Sequence, residues 1–340
     1  METKIFDPTA KGIRACGEII KNGGLVAFPT ETVYGLGANG LDECAVNSIF
    51  KAKGRPSDNP LILHIAKKSD ASALWSDIPN NVRHLMDAFF PGPLTIIYNK
   101  SSIVPNAVTA GLKTVAVRMP SNKIAEALIK SAGVPIAAPS ANKSGRPSPT
   151  GFSHVKDDMI GVIDAIIDGG DCDFGLESTV VSMVGTPTVL RPGAITPTML
   201  EQVLGDVVVS PYCMSKCENE GAMPSPGMKH RHYAPRADAI AFFGTPYEAA
   251  EKIAFNYDKL TGEGKRVLIL STRQTSAFYG EREKIDMGDR GNISALCKNL
   301  FPALRKCDDF DVVLCETIPE TGMGLAYMNR LMRACGFNCL

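Results

Sequence analysis

The spacing of apolar residues along the first two hundred positions predicts short helices that alternate with short buried strands. Residues 10–21 place apolar side chains three and four positions apart, and Gly23 follows as a stop. A second helix begins at the capping residue Asp42 and ends near Gly54, and a third is predicted over 121–131 with Ser121 as its cap. A fourth covers 198–204. Apolar runs between turn residues predict strands at 25–28, 61–65, 94–98, 114–118, 135–138, 165–168, 179–183 and 188–191.

The pattern changes near Gly205. Residues 210–236 are rich in Pro and Gly and have no period, which is typical of a linker. Beyond it, strands are predicted at 239–243, 266–270 and 312–315, and helices at 247–257, 293–304 and 325–335. We therefore expect an α/β fold with a first domain over 1–208 built on a twisted mixed sheet, a linker over 209–236, and a smaller open-sheet α/β domain over 237–340.

Charge and cysteine content narrow the class of protein. Lys and Arg number 36, as do Asp and Glu, so anions must be bound by local clusters and not by a global field. The start of the chain lacks the layout of a signal peptide, and no apolar run approaches the roughly 20 residues that span a bilayer. Ten scattered cysteines are typical of reduced cytosolic thiols, and their spacing does not indicate zinc. We expect a cytoplasmic protein without a membrane partner.

The run Gly35-Leu-Gly-Ala-Asn-Gly40 has the letters of a dinucleotide-binding fingerprint. Its context is wrong, because Thr-Glu-Thr-Val-Tyr separates the preceding strand from the glycines and no acidic residue ends a next strand about 20 residues on. A P-loop sequence is absent as well. The sequence therefore argues against both common nucleotide-binding motifs.

Two cations follow the second helix. Lys53 and Arg55 flank a glycine, and a guanidinium can grip two phosphate oxygens while an ammonium meets a third. The alternative is a solvated helix end where cations meet the dipole. Asn59 and His64 lie just beyond and favour a binding site.

Polar residues also follow other predicted strands. Ser140, Asn142 and Thr150 come after the strand at 135–138, at the edge where open α/β sheets bind ligands, although a polar turn would have a similar composition. Arg118 ends a strand and pairs either with a structural carboxylate or with a ligand. In the linker, His232 and Tyr233 stand in a Pro-bounded segment that could fold over a site and exclude water.

These strings together resemble the Sua5/YrdC/YwlC family of threonylcarbamoyl-adenylate synthases, in its longer Sua5-type form. The resemblance runs from about residue 9 to the C-terminus. It is carried by Pro29-Thr-Glu-Thr-Val-Tyr-Gly-Leu-Gly37, Lys53-Gly-Arg-Pro56, Asn59-Pro-Leu61, Phe90-Pro-Gly-Pro-Leu-Thr95, Val117-Arg-Met-Pro120, Pro139-Ser-Ala-Asn142, Leu176-Glu-Ser-Thr-Val180, Leu190-Arg-Pro-Gly-Ala194, the linker 225–235 and the terminal run 324–331.

The resemblance implies a YrdC-like domain with a concave active-site surface and a smaller Rossmann-like Sua5 domain. The implied reaction joins L-threonine, bicarbonate and ATP, with Mg²⁺ accompanying the nucleotide, and yields L-threonylcarbamoyladenylate and pyrophosphate. Other proteins then transfer the threonylcarbamoyl group to adenosine 37 of tRNAs that read codons starting with A. The expected partners are these transfer proteins and, through a weak contact, tRNA.

The resemblance also implies residue roles, with no metal ligand among the side chains. Lys53, Arg55, Ser140 and Asn142 are expected at the reaction centre. L-Threonine is expected to meet Thr32, His64, Arg118, Ser140, Ser178 and Thr179. ATP is expected to meet Lys53, Arg55, Asn59, Thr114, Asn142, Thr150, Arg191, Ser225, His232 and Tyr233.

Three positions depart from the family pattern. The loop 171–174 is bulkier and more acidic, Ser182 replaces an acid, and Asn122 replaces a common His. Two alternatives stay open. A non-catalytic RNA-binding or ribosome-associated protein predicts salt-sensitive RNA binding, and the balanced charge counts against it. A carbamoyltransferase, as in hydrogenase-maturation proteins, would use carbamoyl phosphate and would usually carry additional domains.

Overall fold

The computed structural model describes residues 2–215 and 233–340. Contacts divide these residues into two compact units. The first holds residues 2–144 and 148–213, and the second holds 145–147, 214–215 and 233–340. Within these residues no helix is long and apolar enough to cross a membrane.

The first unit is built on an eleven-stranded mixed sheet in the order β1-β8-β2-β3-β7-β4-β6-β5-β9-β10-β11. Its strands are β1 (Lys4–Phe6), β2 (Val26–Phe28), β3 (Gly35–Asn39), β4 (Ile62–His64), β5 (Leu94–Asn99), β6 (Thr114–Arg118), β7 (Ile136–Ala137), β8 (Ala165–Ile167), β9 (Thr179–Ser182), β10 (Thr188–Arg191) and β11 (Val208–Val209). Its helices are α1 (Ala10–Lys21), α2 (Glu43–Lys53), α3 (Ala71–Leu74), α4 (Asn80–Phe89), α5 (Asn106–Thr109), α6 (Lys123–Ala132), α7 (Phe152–Met159) and α8 (Pro197–Leu204). This architecture confirms the predicted α/β class.

Local hydrogen bonds explain where the helices begin. The side chain of Asp42 accepts from two backbone amides at the start of α2, and Gly54 ends the helix in the left-handed conformation at φ 61°. The cap of α6 was predicted wrongly as Ser121. Asn122 is the cap, because its Oδ1 accepts from Ile124 N at 2.9 Å and Ala125 N at 3.1 Å. Asn122, which departs from the family pattern expected from the sequence, therefore has a structural role as the helix cap.

The glycine-rich run is a strand. β3 lies antiparallel to both β2 and β7. A Cβ added at Gly37 would lie 2.8 Å from side-chain atoms of both Ile136 and Phe28, so glycine is required there by close packing. The argument against a dinucleotide fingerprint is therefore confirmed by the local fold.

Apolar side chains fill two main clusters in the first unit. The larger includes residues from β3, β4, β5 and β6 with α2 and α4, and buries the single tryptophan, Trp75. The smaller lies where α1 and α6 pack on β2 and β8, around Cys16 and Leu128. The indole Nε1 of Trp75 donates to Val115 O at 3.3 Å, which satisfies its polar atom inside the core.

The second unit contains four parallel strands in the order β12-β15-β13-β14. They are β12 (Asp238–Phe242), β13 (Val267–Ser271), β14 (Lys284–Asp286) and β15 (Val312–Glu316). Its helices are α9 (Pro246–Gly262), α10 (Arg273–Ser276), α11 (Ile293–Lys306) and α12 (Gly324–Ala334). The parallel open sheet confirms the Rossmann-like prediction for this part of the chain.

Nine cysteines lie in the described part of the chain, and all have free thiols. Seven are buried, while Cys44 in the first unit and Cys339 in the second are exposed. Burial raises the pKa of Cys16, Cys172 and Cys297 to about 12, which keeps these thiols protonated. Cys217 lies outside the described residues.

Candidate active site

The loop between β2 and β3 forms the centre of the site through its own hydroxyl groups. Thr30 Oγ1 donates to Val33 O at 2.6 Å and accepts from Thr32 N at 3.1 Å and Val33 N at 3.3 Å. The loop is also joined to residue 170, because Tyr34 Oη donates to Gly170 O at 2.8 Å. These bonds hold the Thr-Glu-Thr segment in one buried conformation.

Arg118 ends β6 inside this buried region. Its Nη1 donates to Thr32 Oγ1 at 2.9 Å, and its Nη2 lies 2.8 Å from Glu31 Oε1 in a salt bridge whose two side chains are 4% and 2% exposed. Within the described residues, Nε of Arg118 has no hydrogen-bond partner, and Nη2 is held by this ion pair with Glu31. Nε and Nη2 form the edge of a guanidinium that binds a carboxylate through two parallel bonds. Nη2 is already paired with Glu31, so a carboxylate bound at this edge would use Nε and the second hydrogen of Nη2.

His64 lies beside Arg118, since the two residues are paired in the register of β4 and β6. Its Nδ1 donates to Ile62 O at 3.2 Å. Burial, and then the nearby charge of Arg118, lowers the pKa of His64 to about 3. The imidazole is therefore neutral at physiological pH and offers a dipole without a second positive charge.

The sheet register extends the row of polar residues beyond Arg118. Thr95 on β5 is paired with Arg118, and its Oγ1 lies 2.7 Å from Ser178 Oγ. Arg191, the last residue of β10, donates from Nε to Ser178 O and from Nη2 to Ser178 Oγ, each at 3.1 Å. His64, Arg118 and Thr95 thus follow one another across the neighbouring strands β4, β6 and β5, and Ser178 lies directly before the next strand, β9.

Thr179 differs from its neighbour Ser178. Its Oγ1 donates to Ile195 O at 2.7 Å and accepts from Ile195 N at 3.1 Å, and the residue is fully buried. Both hydrogen-bonding functions of this hydroxyl are therefore used by the protein. We assign Thr179 to the frame of the site because its hydroxyl bonds to the backbone of Ile195; the hydroxyl of Ser178 bonds instead to the side chains of Thr95 and Arg191 in the polar row, and Ser178 stays the substrate-facing candidate.

Lys53 holds the loop that follows β7. Its Nζ donates to Ser140 O and to Asn142 O, each at 2.5 Å. Ser140 Oγ donates to Asn142 Oδ1 at 2.5 Å, and Ala141 N donates to Tyr34 O at 2.9 Å. The ammonium group of Lys53 is therefore bonded to the Ser140–Asn142 segment, which the sequence predicted to be part of the site. This segment is in turn bonded to the loop between β2 and β3.

The other predicted nucleotide residues are placed as follows. Arg55 donates to Asn59 O at 3.3 Å, while Asn59 is buried and its Nδ2 has no hydrogen-bond partner within the described residues. Thr114 begins β6, four residues from Arg118, or about 13 Å along the strand. Thr150 is buried, and its carbonyl accepts from Cys172 N at 2.8 Å.

The loop 171–174, which departs from the family pattern, is bonded to the site. Phe174 N donates to Glu31 O at 2.9 Å, and Cys172 bonds to Thr150 as above. Ser182, another departure, is half-buried on β9 opposite Thr188 and takes no part in these bonds.

The predicted lid residues are described only in part. Ser225 and His232 lie outside the described residues. Tyr233 belongs to the second unit, where its ring packs on Phe301 with 5.1 Å between the ring centres. Tyr233 also has a positive φ of 64°, which is uncommon for a residue with a side chain.

Two residues of the site were missed by the sequence reasoning. Glu31 was read only as part of a motif, although an acid between two threonines could have suggested a partner for Arg118. Thr95 was missed because only the strand register brings it beside Arg118. The described parts of the chain, 2–215 and 233–340, hold no group of three acidic, His or Cys side chains able to bind a metal ion.

The second unit has a polar cluster where open sheets usually bind ligands, at the carboxyl ends of β13 and β15. Glu316 is buried there and accepts from Thr272 Oγ1 at 2.7 Å, Tyr279 Oη at 2.6 Å and Arg290 Nη1 at 3.0 Å. Thr275 also donates to this carboxylate. The carboxylate of Glu316 therefore occupies this edge of the sheet, and both of its oxygens already accept hydrogen bonds from the protein.

The fold and the site define a two-unit α/β protein in which a buried arginine lies in a row of polar side chains at the ends of neighbouring strands. Residues 18–193 match the family model Sua5_yciO_yrdC, described as telomere recombination, and residues 195–336 match the model of the threonylcarbamoyl-AMP synthase C-terminal domain. The chain belongs to the Sua5/YciO/YrdC family, with the C-terminal domain of its longer members.

Two curated relatives match nearly the whole chain. The threonylcarbamoyl-AMP synthase of Pyrococcus abyssi is 46% identical over 331 residues, covering 96% of this chain and 95% of the relative. That of Bacillus subtilis is 44% identical over 328 residues, covering 95% and 93%. A crystal structure of P. abyssi Sua5 complexed with L-threonine has a TM-score of 0.95 at 45% identity and covers 99% of each chain.

Proposed function

We propose that this protein is a threonylcarbamoyl-AMP synthase, which joins L-threonine, bicarbonate and ATP into L-threonylcarbamoyladenylate and releases pyrophosphate. The observation that carries the proposal is the buried Arg118, whose Nη2 is paired with Glu31 and whose Nε has no hydrogen-bond partner within the described residues. The full-length similarity to synthases of that name, and to a structure that binds L-threonine, supports the same reaction.

At the amino-acid end, the Nε–Nη2 edge of Arg118 binds the carboxylate of L-threonine in a bidentate pair. Thr32 shares a hydrogen bond with Arg118, and the neutral His64 lies next to it in the sheet. Both can bond to the substrate hydroxyl without adding charge. Ser178, fixed by Arg191 and Thr95, completes the polar surface along the neighbouring strand.

At the nucleotide end, positive charge stabilises the departing pyrophosphate. A carbamate oxygen attacks the α-phosphorus while negative charge builds on the leaving group, so fixed cations lower the barrier. Arg55 and Lys53 supply that charge, and Lys53 also fixes Ser140 and Asn142 through their carbonyls. Holding the three reactants together supplies much of the remaining rate.

The remaining nucleotide contacts are proposed from position. Asn59 Nδ2 is a buried donor without a hydrogen-bond partner within the described residues, and suits a polar atom of the nucleotide. Thr114 and Thr150 would lie along the same ligand, and Arg191 would act near the phosphates. Ser225, His232 and Tyr233 would close over the ligand from the linker.

Magnesium accompanies ATP in this proposal. The described residues provide no group of three metal-binding side chains. The ion would therefore be held mainly by phosphate oxygens and water, as is usual for Mg²⁺ with nucleotides. It would neutralise phosphate charge, and no protein side chain is assigned to it.

We further propose that the product serves the modification of adenosine 37 in tRNAs that read codons starting with A. Because a mixed anhydride hydrolyses in water, transfer proteins must take it up soon after release. The tRNA contact of this chain itself would be weak. Free thiols throughout the described chain fit a protein that works in the reducing cytoplasm.

The direct test incubates the full chain with ATP, Mg²⁺, bicarbonate and labelled L-threonine. We expect pyrophosphate release that requires both threonine and bicarbonate, and a labelled mixed anhydride on rapid chromatography. Arg118→Gln is the matched variant, since it retains hydrogen-bonding groups but loses the charged fork. This variant should show little threonine-dependent pyrophosphate release at threonine concentrations that saturate the wild type.

Three outcomes would contradict the proposal. If pyrophosphate is released equally fast with and without L-threonine, L-threonine is not a substrate. Product formed only from carbamoyl phosphate would favour carbamoyl transfer. Tight salt-sensitive RNA binding without any pyrophosphate release would favour the RNA-binding alternative.

A further inference from the structure

Glu31 is a buried carboxylate with one oxygen unused. Its Oε1 lies 2.8 Å from Arg118 Nη2 and accepts from Ser121 N at 3.2 Å. Its Oε2 is buried and has no hydrogen-bond partner within the described residues. The side chain is 2% exposed, so bulk water does not supply the missing donor.

Glu31 carries its negative charge at neutral pH. Burial raises the pKa of Glu31, but the charge and hydrogen bond of Arg118 and the backbone donors together outweigh burial and lower it. The neighbouring imidazole of His64 is neutral, as described above. The net charge of the Glu31–Arg118 pair is therefore zero before any ligand binds.

A bound carboxylate changes this balance. If a carboxylic acid ligand pairs with the Nε–Nη2 edge of Arg118, two negative groups share one guanidinium in a buried site. Like charges at this range are unfavourable where water is excluded. One more positive group restores neutrality, and an α-amino acid carries that group, as an ammonium, one carbon from its carboxylate.

We propose that Glu31 determines specificity for a zwitterionic α-amino acid, with its Oε2 accepting a hydrogen bond from the substrate ammonium. Glu31 and Arg118 then form a matched pair for the two charges of the ligand. The inference rests on the proposed function, because it concerns how the same pocket selects threonine from other hydroxylated acids.

The test compares two ligands that differ only in the amino group. Isothermal titration calorimetry measures the affinity of the full chain for L-threonine and for the 3-hydroxybutanoate enantiomer of matching configuration, without ATP. In Glu31→Gln we expect the affinity for L-threonine to fall about tenfold or more, as for a lost hydrogen bond between charged groups. The affinity for 3-hydroxybutanoate should stay constant or rise, because the repulsion is removed.

Glu177→Gln is the control. Glu177 is also a buried acid of the first unit, and it accepts from Ser148 Oγ at 2.5 Å. This variant should change both affinities by the same factor. If Glu31→Gln does not fold, the same two affinities are measured for Glu31→Asp. Aspartate keeps the negative charge, but its shorter side chain moves the carboxylate oxygens away from the ligand. Glu31→Asp should therefore lower the affinity for L-threonine more than the affinity for 3-hydroxybutanoate.

The outcomes separate this inference from the proposed function. Equal losses for the two ligands in the Glu31 variants, or no loss in either, would show a purely structural role and overturn the inference alone. A wild-type protein that does not bind L-threonine would overturn the proposed function and the inference with it. A loss of affinity that is larger for L-threonine than for 3-hydroxybutanoate supports the specificity role, and the reverse order overturns it.

Discussion

Replacing Thr179 by Val tests the distinction between the frame of the site and its substrate-facing surface. Valine has nearly the shape of threonine but lacks the hydroxyl. The change therefore removes the two hydrogen bonds that Thr179 Oγ1 makes with Ile195 N and Ile195 O. Both residues are buried, so water does not replace the lost partner.

The magnitude follows from the groups left without partners. Each unsatisfied buried backbone group costs about 1–3 kcal/mol. Because the two groups belong to one residue and can relax together, we expect the free energy of unfolding to fall by about 2–4 kcal/mol. For a unit of this size that corresponds to a fall in Tm of roughly 5–15 °C. The KM for L-threonine should change less than about threefold.

The assay uses the single tryptophan. Trp75 is buried in the core of the first unit, so its fluorescence reports the unfolding of that unit during denaturant titration. Ser182→Ala on the same strand is the control. Ser182 is half-buried, and within the described residues its hydroxyl accepts one long hydrogen bond, from Val184 N at 3.4 Å, so less than about 0.5 kcal/mol should be lost. An unchanged midpoint in Thr179→Val together with a large rise in the threonine KM would refute this reasoning.

Three further predictions follow from the same contacts. Arg118→Lys should raise the KM for L-threonine about 30-fold or more and leave the KM for ATP within about threefold, because an ammonium cannot replace the bidentate guanidinium. A steady-state pyrophosphate assay in which each substrate is varied in turn measures both KM values. Equal rises in the two KM values would contradict the prediction. The pKa of His64 is lowered to about 3 in the folded state from an ordinary value near 6.5, so its contribution to stability is present above pH 6.5 and is lost as the pH falls. Denaturant titrations at pH 7.5 and 5.0 should differ by about 2 kcal/mol from this group, and His64→Gln should remove that part of the difference. Asn122→Ala should lower the free energy of unfolding by about 1 kcal/mol through loss of the α6 cap, whereas Ser121→Ala should have little effect if Asn122 alone is the cap.

The fold was predictable where apolar spacing was clear. Helices α1 and α2 and the strands around Arg118 lie within a few residues of the prediction, because periodicity and capping residues act locally. β3 was not predicted as a strand, because glycine has a low strand propensity. Glycine is needed at position 37 because the side chains of Ile136 and Phe28 leave no space for a Cβ atom, and these contacts exist only in the assembled sheet. The short helices α4 and α7 were also missed, and their N-caps make no side-chain hydrogen bond.

The candidate site was predictable as a set of polar residues at strand ends, but its pairings were not. Arg118 reaches Thr32 and Glu31 across more than eighty residues of sequence, and only the assembled sheet brings them together. The sequence left open whether Arg118 pairs with a structural carboxylate or with a ligand; the structure supplies the carboxylate, Glu31, and leaves Nε without a hydrogen-bond partner within the described residues. Likewise, the sequence could not distinguish Ser178 from Thr179, since their difference lies in the contact with Ile195.

The two exposed thiols provide a route to following this protein during turnover. Cys44 and Cys339 lie on different units and are exposed, whereas the buried thiols resist alkylation because the thiolate is the reactive form. With Cys217 replaced by Ser, maleimide dyes would attach at these two positions without new cysteines. Energy transfer between the fluorophores would then report, in single molecules, whether the separation of the two units changes as ATP and threonine are consumed.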